Sequence, residues 1–84
     1  MSAKEMFEEL GYARDESYEG ILYSKYVDEN ESVNLWQIDF DKVNKTVEKS
    51  VSKAGFDMKY WNSEITSEEL KAINKQIEEL EWNK

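Results

Sequence analysis

Hydrophobic spacing changes twice along this chain, and that change limits its fold more than any motif does. Near the start, Ala3, Met6, Phe7 and Leu10 recur at helical spacing. Near the end Leu70, Ile73, Ile77 and Leu80 do the same, with Ala72 beside them. Between these stretches the apolar residues alternate. Trp36, Ile38 and Phe40 fall on one face of an extended segment, Gln37 and Asp39 on the other. A chain written this way must fold as strands bracketed by two helices.

Both helical stretches open on the same local signal. Ser2 stands three residues before Glu5, and Thr66 three residues before Glu69. This spacing lets hydroxyl, carboxylate and two backbone N–H groups satisfy one another at a helix start. Met1 with Met6, and Ile65 with Leu70, stand at the apolar staple positions around each cap. The predicted helices run over about 3–10 and 67–81. Gly11 ends the first in a left-handed conformation, so that Tyr12 folds back on Phe7. In the second, Leu70, Ile73, Ile77 and Leu80 form the buried stripe, while Glu68, Lys71, Lys75, Glu78 and Glu79 form the wet face.

The centre reads as strands at Gly20–Val27 and Val33–Phe40, joined by the polar turn 28–32. A tight connection over 41–45, with Asn44 at positive φ, leads to a third strand over 45–51. That strand is the most polar and reads as an edge guarded by Lys49. Residues 56–61 are either a fourth short strand or an extended loop on the core. Short links favour neighbouring antiparallel pairs. The expected fold is therefore a single α+β domain over 1–84, of order α-β-β-β-(β)-α. It is a three- to four-stranded antiparallel meander with the N- and C-terminal helices packed on one face.

The chain has no cysteine and no histidine among its 84 residues. It therefore lacks disulfides, thiolate chemistry, the commonest general base and the commonest metal ligand. Asp39 and Asp41 share a strand face, yet a calcium loop beginning at Asp39 fails: Val43, Asn44 and Ser50 occupy its fifth, sixth and twelfth positions. So small a domain also has little room for a glycosidase cleft between two carboxylates. The expectation is a non-enzyme with no catalytic residues, no cofactor and no metal. No apolar run approaches the ~18 residues of a membrane span, and Met1–Leu10 is acidic and amphipathic, unlike a signal peptide. A cytoplasmic location without membrane contact is expected.

The formal charge is −8, unevenly spread. Residues 1–41 hold 11 acids and 3 bases, whereas residues 42–62 hold 2 acids and 5 bases. The first region offers Asp15, Glu16, Glu19, Asp28, Glu29 and Glu31 as an acidic surface, either solubilising or imitating nucleic-acid charge. The second offers Lys42, Lys45, Lys49, Lys53 and Lys59 beside Tyr60 and Trp61, a pattern that serves either as edge-strand lysines or as a weak nucleic-acid grip. Net charge disfavours nucleic-acid binding. Of the 11 aromatic residues, Trp36 and Phe40 belong to the core, and Trp82 caps it at the end of the last helix. Tyr18, Tyr26 and Trp61 are harder to place inside so small a body. They are the candidate partner-binding residues, for an unknown protein or a second copy of this chain forming a homodimer.

One resemblance adds to this. The stretches Ala3-Lys4-Glu5-Met6-Phe7-Glu8-Glu9-Leu10-Gly11-Tyr12 and Ile65-Thr66-Ser67-Glu68-Glu69-Leu70-Lys71-Ala72-Ile73, continuing through Asn74-Lys75-Gln76-Ile77-Glu78-Glu79-Leu80-Glu81-Trp82, carry it. With Phe40-Asp41-Lys42 and Asn44-Lys45-Thr46-Val47, the chain resembles a group of small proteins encoded by phages and prophages of Gram-positive bacteria. The likeness spans most of the chain in order and is loosest in the central strands. It implies a phage or prophage accessory role in the bacterial cytoplasm. The group has no assigned activity, so the resemblance implies no site residues.

Overall fold

Seven elements follow one another: α1 (Ala3–Glu9), β1 (Ala13–Glu16), β2 (Gly20–Glu29), β3 (Ser32–Asp41), β4 (Thr46–Lys53), β5 (Lys59–Trp61) and α2 (Ser67–Glu79). They belong to a computed structural model that describes residues 1–29, 32–53, 59–61 and 64–82, with residue 29 and residues 59–61 described as backbone only. The strands pair in chain order, β1-β2-β3-β4-β5, and every pairing is antiparallel. The α+β meander with two terminal helices is therefore present.

Both helix starts form as the sequence dictates. Ser2 Oγ accepts from the Glu5 N–H, and the Ser2 N–H donates back to Glu5 Oε1, each at 3.1 Å. Thr66 and Glu69 repeat the exchange at 3.1 and 3.0 Å. Gly11 adopts φ 92°, which only glycine takes without strain. The Tyr12 N–H then reaches the Phe7 carbonyl at 3.0 Å, and the two rings meet edge to face at 5.7 Å.

Strand alternation decides which side chains face the helices. The register sets Ile21 opposite Phe40, Tyr23 opposite Ile38 and Lys25 opposite Trp36, then Phe40 opposite Val47 and Ile38 opposite Lys49. Ile21, Tyr23, Ile38 and Phe40 close over Phe7 of α1 and over Ala72 and Ile73 of α2. Phe7 stacks on Tyr23 with centroids 3.8 Å apart, and both meet Phe40 edge to face. Fully burying each such side chain contributes about 1.5–3 kcal/mol, so this aromatic cluster is the main anchor of the helix layer. Trp36 is half-buried against it, and Trp82 lies against Phe40 at 6.3 Å, where it caps the core.

Several elements depart from the expected ones. Residues 13–16 form a strand although their sequence, Ala-Arg-Asp-Glu, has no apolar alternation; pairing with β2 supplies the order. The central hairpin is longer than predicted, since Glu29 still pairs with Ser32. Its tip, residues 30–31, lies outside the described residues. In the next turn Lys45, not Asn44, takes positive φ. Asp41 explains this: its Oδ1 accepts from the Val43 and Asn44 N–H groups, and its Oδ2 accepts from Asn44 Nδ2, which holds Asn44 in place and moves the turn's left-handed residue one position on.

β4 is internal rather than an edge, because β5 pairs beyond it. Lys49 therefore guards nothing. It shares the helix-facing parity of Val47 and Val51 and is buried. Of the predicted strand over 56–61, residues 59–61 pair with β4, while 56–58 lie outside the described residues. Finally, α2 is rotated about its axis relative to the predicted stripe. Glu69, Ala72, Ile73 and Gln76 are buried, whereas Leu70 is 49 % exposed. The rotation turns two polar side chains inward, where buried polar atoms of the sheet and of Tyr12 require partners.

Candidate functional site

The helix-bearing side of the sheet is occupied by a closed polar network. Glu69 Oε2 accepts from the Tyr12 hydroxyl at 2.6 Å, and both its oxygens accept from Lys49 Nζ at 3.0 and 3.2 Å. Lys49 also donates to the Glu64 carbonyl and sits 4.5 Å above the Trp36 ring. Lys25 donates to the Leu10 carbonyl at 2.9 Å, which supplies a cation to the C-terminus of α1. It also lies over the rings of Tyr12 and Trp36. Tyr23 donates to Gln76 Oε1 at 2.5 Å and accepts from Arg14. Each of these polar groups holds one element to another.

The electrostatics follow from burial and partners. Burial opposes ionisation of Glu69, but the Thr66 N–H, the Tyr12 hydroxyl and Lys49 together hold its pKa below the ordinary carboxylate value. Burial, reinforced by the neighbouring Glu69 carboxylate, pushes the Tyr12 phenol far up. Burial also raises Tyr23. The Tyr12 hydroxyl and the Lys49 ammonium are committed to Glu69, an arrangement that ties the α1–β1 connection, β4 and α2 together. The indole Nε1 of Trp36 is buried with no hydrogen-bond partner among the described residues.

The opposite face differs in every respect. By register it carries Asp15 of β1, Leu22, Tyr26 and Asp28 of β2, Val33, Leu35, Asp39 and Asp41 of β3, and Glu48 of β4. Among the described residues neither helix packs on it, although Ser50 of β4, on the same parity, is buried. Tyr26 is 72 % exposed on β2 beyond its last residue paired with β1, Ser24; Val33 is 41 % exposed, Leu35 opposite Tyr26 is half-buried, and Leu22, also half-buried, stands four residues back along β2. Asp15, Asp39 and Glu48 follow one another across the strands through the pairs Asp15–Leu22, Leu22–Asp39 and Asp39–Glu48.

At one end of this face a shallow concavity of about 510 Å³ is lined by Asp15, Ser17, Glu19, Asp39 and Asp41, among others. Among the described residues no group of three acids stands close enough to hold a metal ion. The described acids of the face form one cross-strand row with outliers, not the two rows that imitation of a duplex requires.

Of the candidate partner residues, Tyr18 and Tyr26 stand apart, while the backbone of Trp61 falls on the parity of Tyr26. Tyr18 is fully exposed at the turn between β1 and β2. Tyr26 stands six residues beyond the start of β2, roughly 20 Å along the strand at ~3.3 Å per residue. The backbone of Trp61 pairs with Ser50 on β4, and its side chain lies outside the described residues. Two lysines of the basic segment have partners within the protein. Lys49 is buried against Glu69, and Lys42 is held by Glu16 and the Ser17 carbonyl. The Lys59 and Tyr60 side chains lie outside the described residues, as do the side chain of Glu29 and the whole of Glu31. Sequence reasoning missed the acidic row because its members come from three strands. Only the register aligns them.

Comparison with protein-family models, with curated proteins and with solved structures finds no match. Among the described residues no helix is long and apolar enough to cross a membrane.

Proposed function

We propose that this chain is a non-catalytic protein-binding module, a small accessory protein of phage or prophage origin acting in the bacterial cytoplasm, and that the helix-free face of its sheet is the docking surface. The observation that carries the reading is Tyr26. A large ring left 72 % exposed on the helix-free face, with Leu35 opposite it and Val33 diagonal to it, is an apolar centre of the kind protein interfaces bury. The polar side chains with the most structure around them, Lys49, Glu69, Tyr12 and Tyr23, are committed to holding helices on the sheet. They do not converge on an open cleft.

Nucleic-acid binding through the 42–59 region is the less favoured reading, because the net charge is −8 and Lys42 and Lys49 are engaged within the protein. A homodimer through the sheet face is also disfavoured, since it would press two acidic rims together. The test is affinity capture from a bacterial lysate with nuclease present, read by mass spectrometry, with Tyr26→Ala run alongside. A partner retained by the native chain and lost from the folded variant supports the reading. Capture indifferent to Tyr26, or recovery of nucleic acid alone, refutes it.

A further inference from the structure

The bases of the first four strands are sorted to one face of the sheet. β1 to β4 contain four basic residues, Arg14, Lys25, Lys49 and Lys53. All four take the helix-bearing parity, opposite or two residues from Tyr23, Trp36 or Val51. Glu16 and Glu29 share that parity; on the other parity the same strands carry Asp15, Asp28, Asp39, Asp41 and Glu48 and no base, and the first base by register is Lys59 on the edge strand β5, opposite Ser52. Both helices, by contrast, mix the signs, as in the Lys4–Glu8 and Lys75–Glu78 pairs.

The row itself is costly to the fold. Asp39 lies directly opposite Glu48, and like charges directly opposite on neighbouring strands repel. On that face β1 to β4 offer no cation to relieve the repulsion. A partner group of positive charge would relieve it.

Resting on the reading of this face as a docking surface, we infer that its partner is a basic protein surface. Lysine or arginine side chains of the partner meet the row Asp15–Asp39–Glu48 while an apolar group of the partner covers Tyr26 and Leu35. A nucleic acid or an anionic membrane is repelled by the same row. Attraction of this kind mainly speeds encounter, and it weakens as salt screens it.

The experiment titrates the ¹⁵N-labelled protein separately with deca-arginine, with a short DNA duplex, and with vesicles of equal parts phosphatidylcholine and phosphatidylserine. Amide shifts with deca-arginine are expected at Leu22, Leu35, Asp39 and Glu48, with α1 and α2 little moved. The duplex and the vesicles are expected to shift none of these. The doubly neutralised Asp39→Asn/Glu48→Gln protein is expected to bind deca-arginine roughly tenfold or more weakly, as loss of close charge pairs implies. The helix variant Glu8→Gln/Glu78→Gln, with the same change in net charge, should bind within about threefold of native, since its acids are exposed and paired.

Shifts centred on the helices, equal weakening by the two variants, or binding of the duplex or vesicles at this face each overturn the inference. The neutralised protein removes a repulsion, so misfolding does not confuse the result. If a captured partner depends on Tyr26 but is indifferent to Asp39, Glu48 and salt, the docking surface stands and the basic partner falls.

Discussion

Glu69→Gln isolates the charge at the centre of the helix–sheet lock. The glutamine keeps the length of the side chain and an oxygen for the Thr66 N–H, so the helix cap survives. What it removes is the anion 3.0 Å from Lys49, in a pair whose side chains are each only 4 % exposed. Stripping one partner from a buried pair costs about 3–5 kcal/mol. The lower end applies here, about 3 kcal/mol, because the Glu64 carbonyl and the Trp36 ring still hold the ammonium. Lys49→Met should cost less, about 2 kcal/mol, because the carboxylate keeps the Thr66 N–H and the Tyr12 hydroxyl. The double variant removes both charges and should cost about 3 kcal/mol rather than the sum of the two. A domain of this length has about 4–13 kcal/mol in total, so all three proteins are measurable by urea titration followed by circular dichroism. If the two single costs add within about 0.5 kcal/mol, the pair is not coupled and the account of the lock is wrong.

Four further outcomes are expected. Because the Glu69 pKa is lowered on folding, its contribution is present above the ordinary value of 4.5 and is lost as pH falls through the folded value. Urea midpoints of the native protein should therefore drop below about pH 4.5, and those of Glu69→Gln should drop less. Tyr12 is raised instead, so its contribution is present below the ordinary value of 10.0 and is lost as pH rises toward the folded value; a stability titration above pH 10.0 should show a loss that Tyr12→Phe reduces. Gly20→Ala would place a methyl group against the Phe40 carbonyl on the paired strand, a backbone atom that cannot step aside. A destabilisation of about 2 kcal/mol or more by thermal melt is expected. Tyr26→Ala should leave the melting temperature nearly unchanged, a cost within about 0.5 kcal/mol, since the ring is mostly in water.

What could be read from the amino acids was whatever is local. Both caps depend on residues three apart, and Gly11 with Tyr12 needs only the turn they occupy. The inward face of Trp36, Ile38 and Phe40 follows from alternation, and Ile38 and Phe40 are fully buried. What could not be read depends on partners distant in sequence. Lys49 looked like an edge guard because a lone lysine in a polar strand ordinarily is one. Its partner Glu69 lies 20 residues away and already had a local explanation as half of a capping box. The same carboxylate does both jobs, and that second use turns α2 so that Leu70 faces out and Gln76 faces Tyr23. β1 was invisible because its four residues carry no pattern of their own. Tyr26 is exposed on the helix-free face, and the acidic row that crosses the same face four residues away, at Leu22, exists only in the register.

The central claim is that the helix-free face is where this protein meets its partner. It can be tested by incorporating a photo-crosslinking phenylalanine analogue at position 26 in one variant and at Asn74, exposed on α2, in another, then irradiating cells that produce each. The account predicts a discrete crosslinked protein from position 26 and none from position 74. A crosslink from position 74 with silence at position 26 would contradict it.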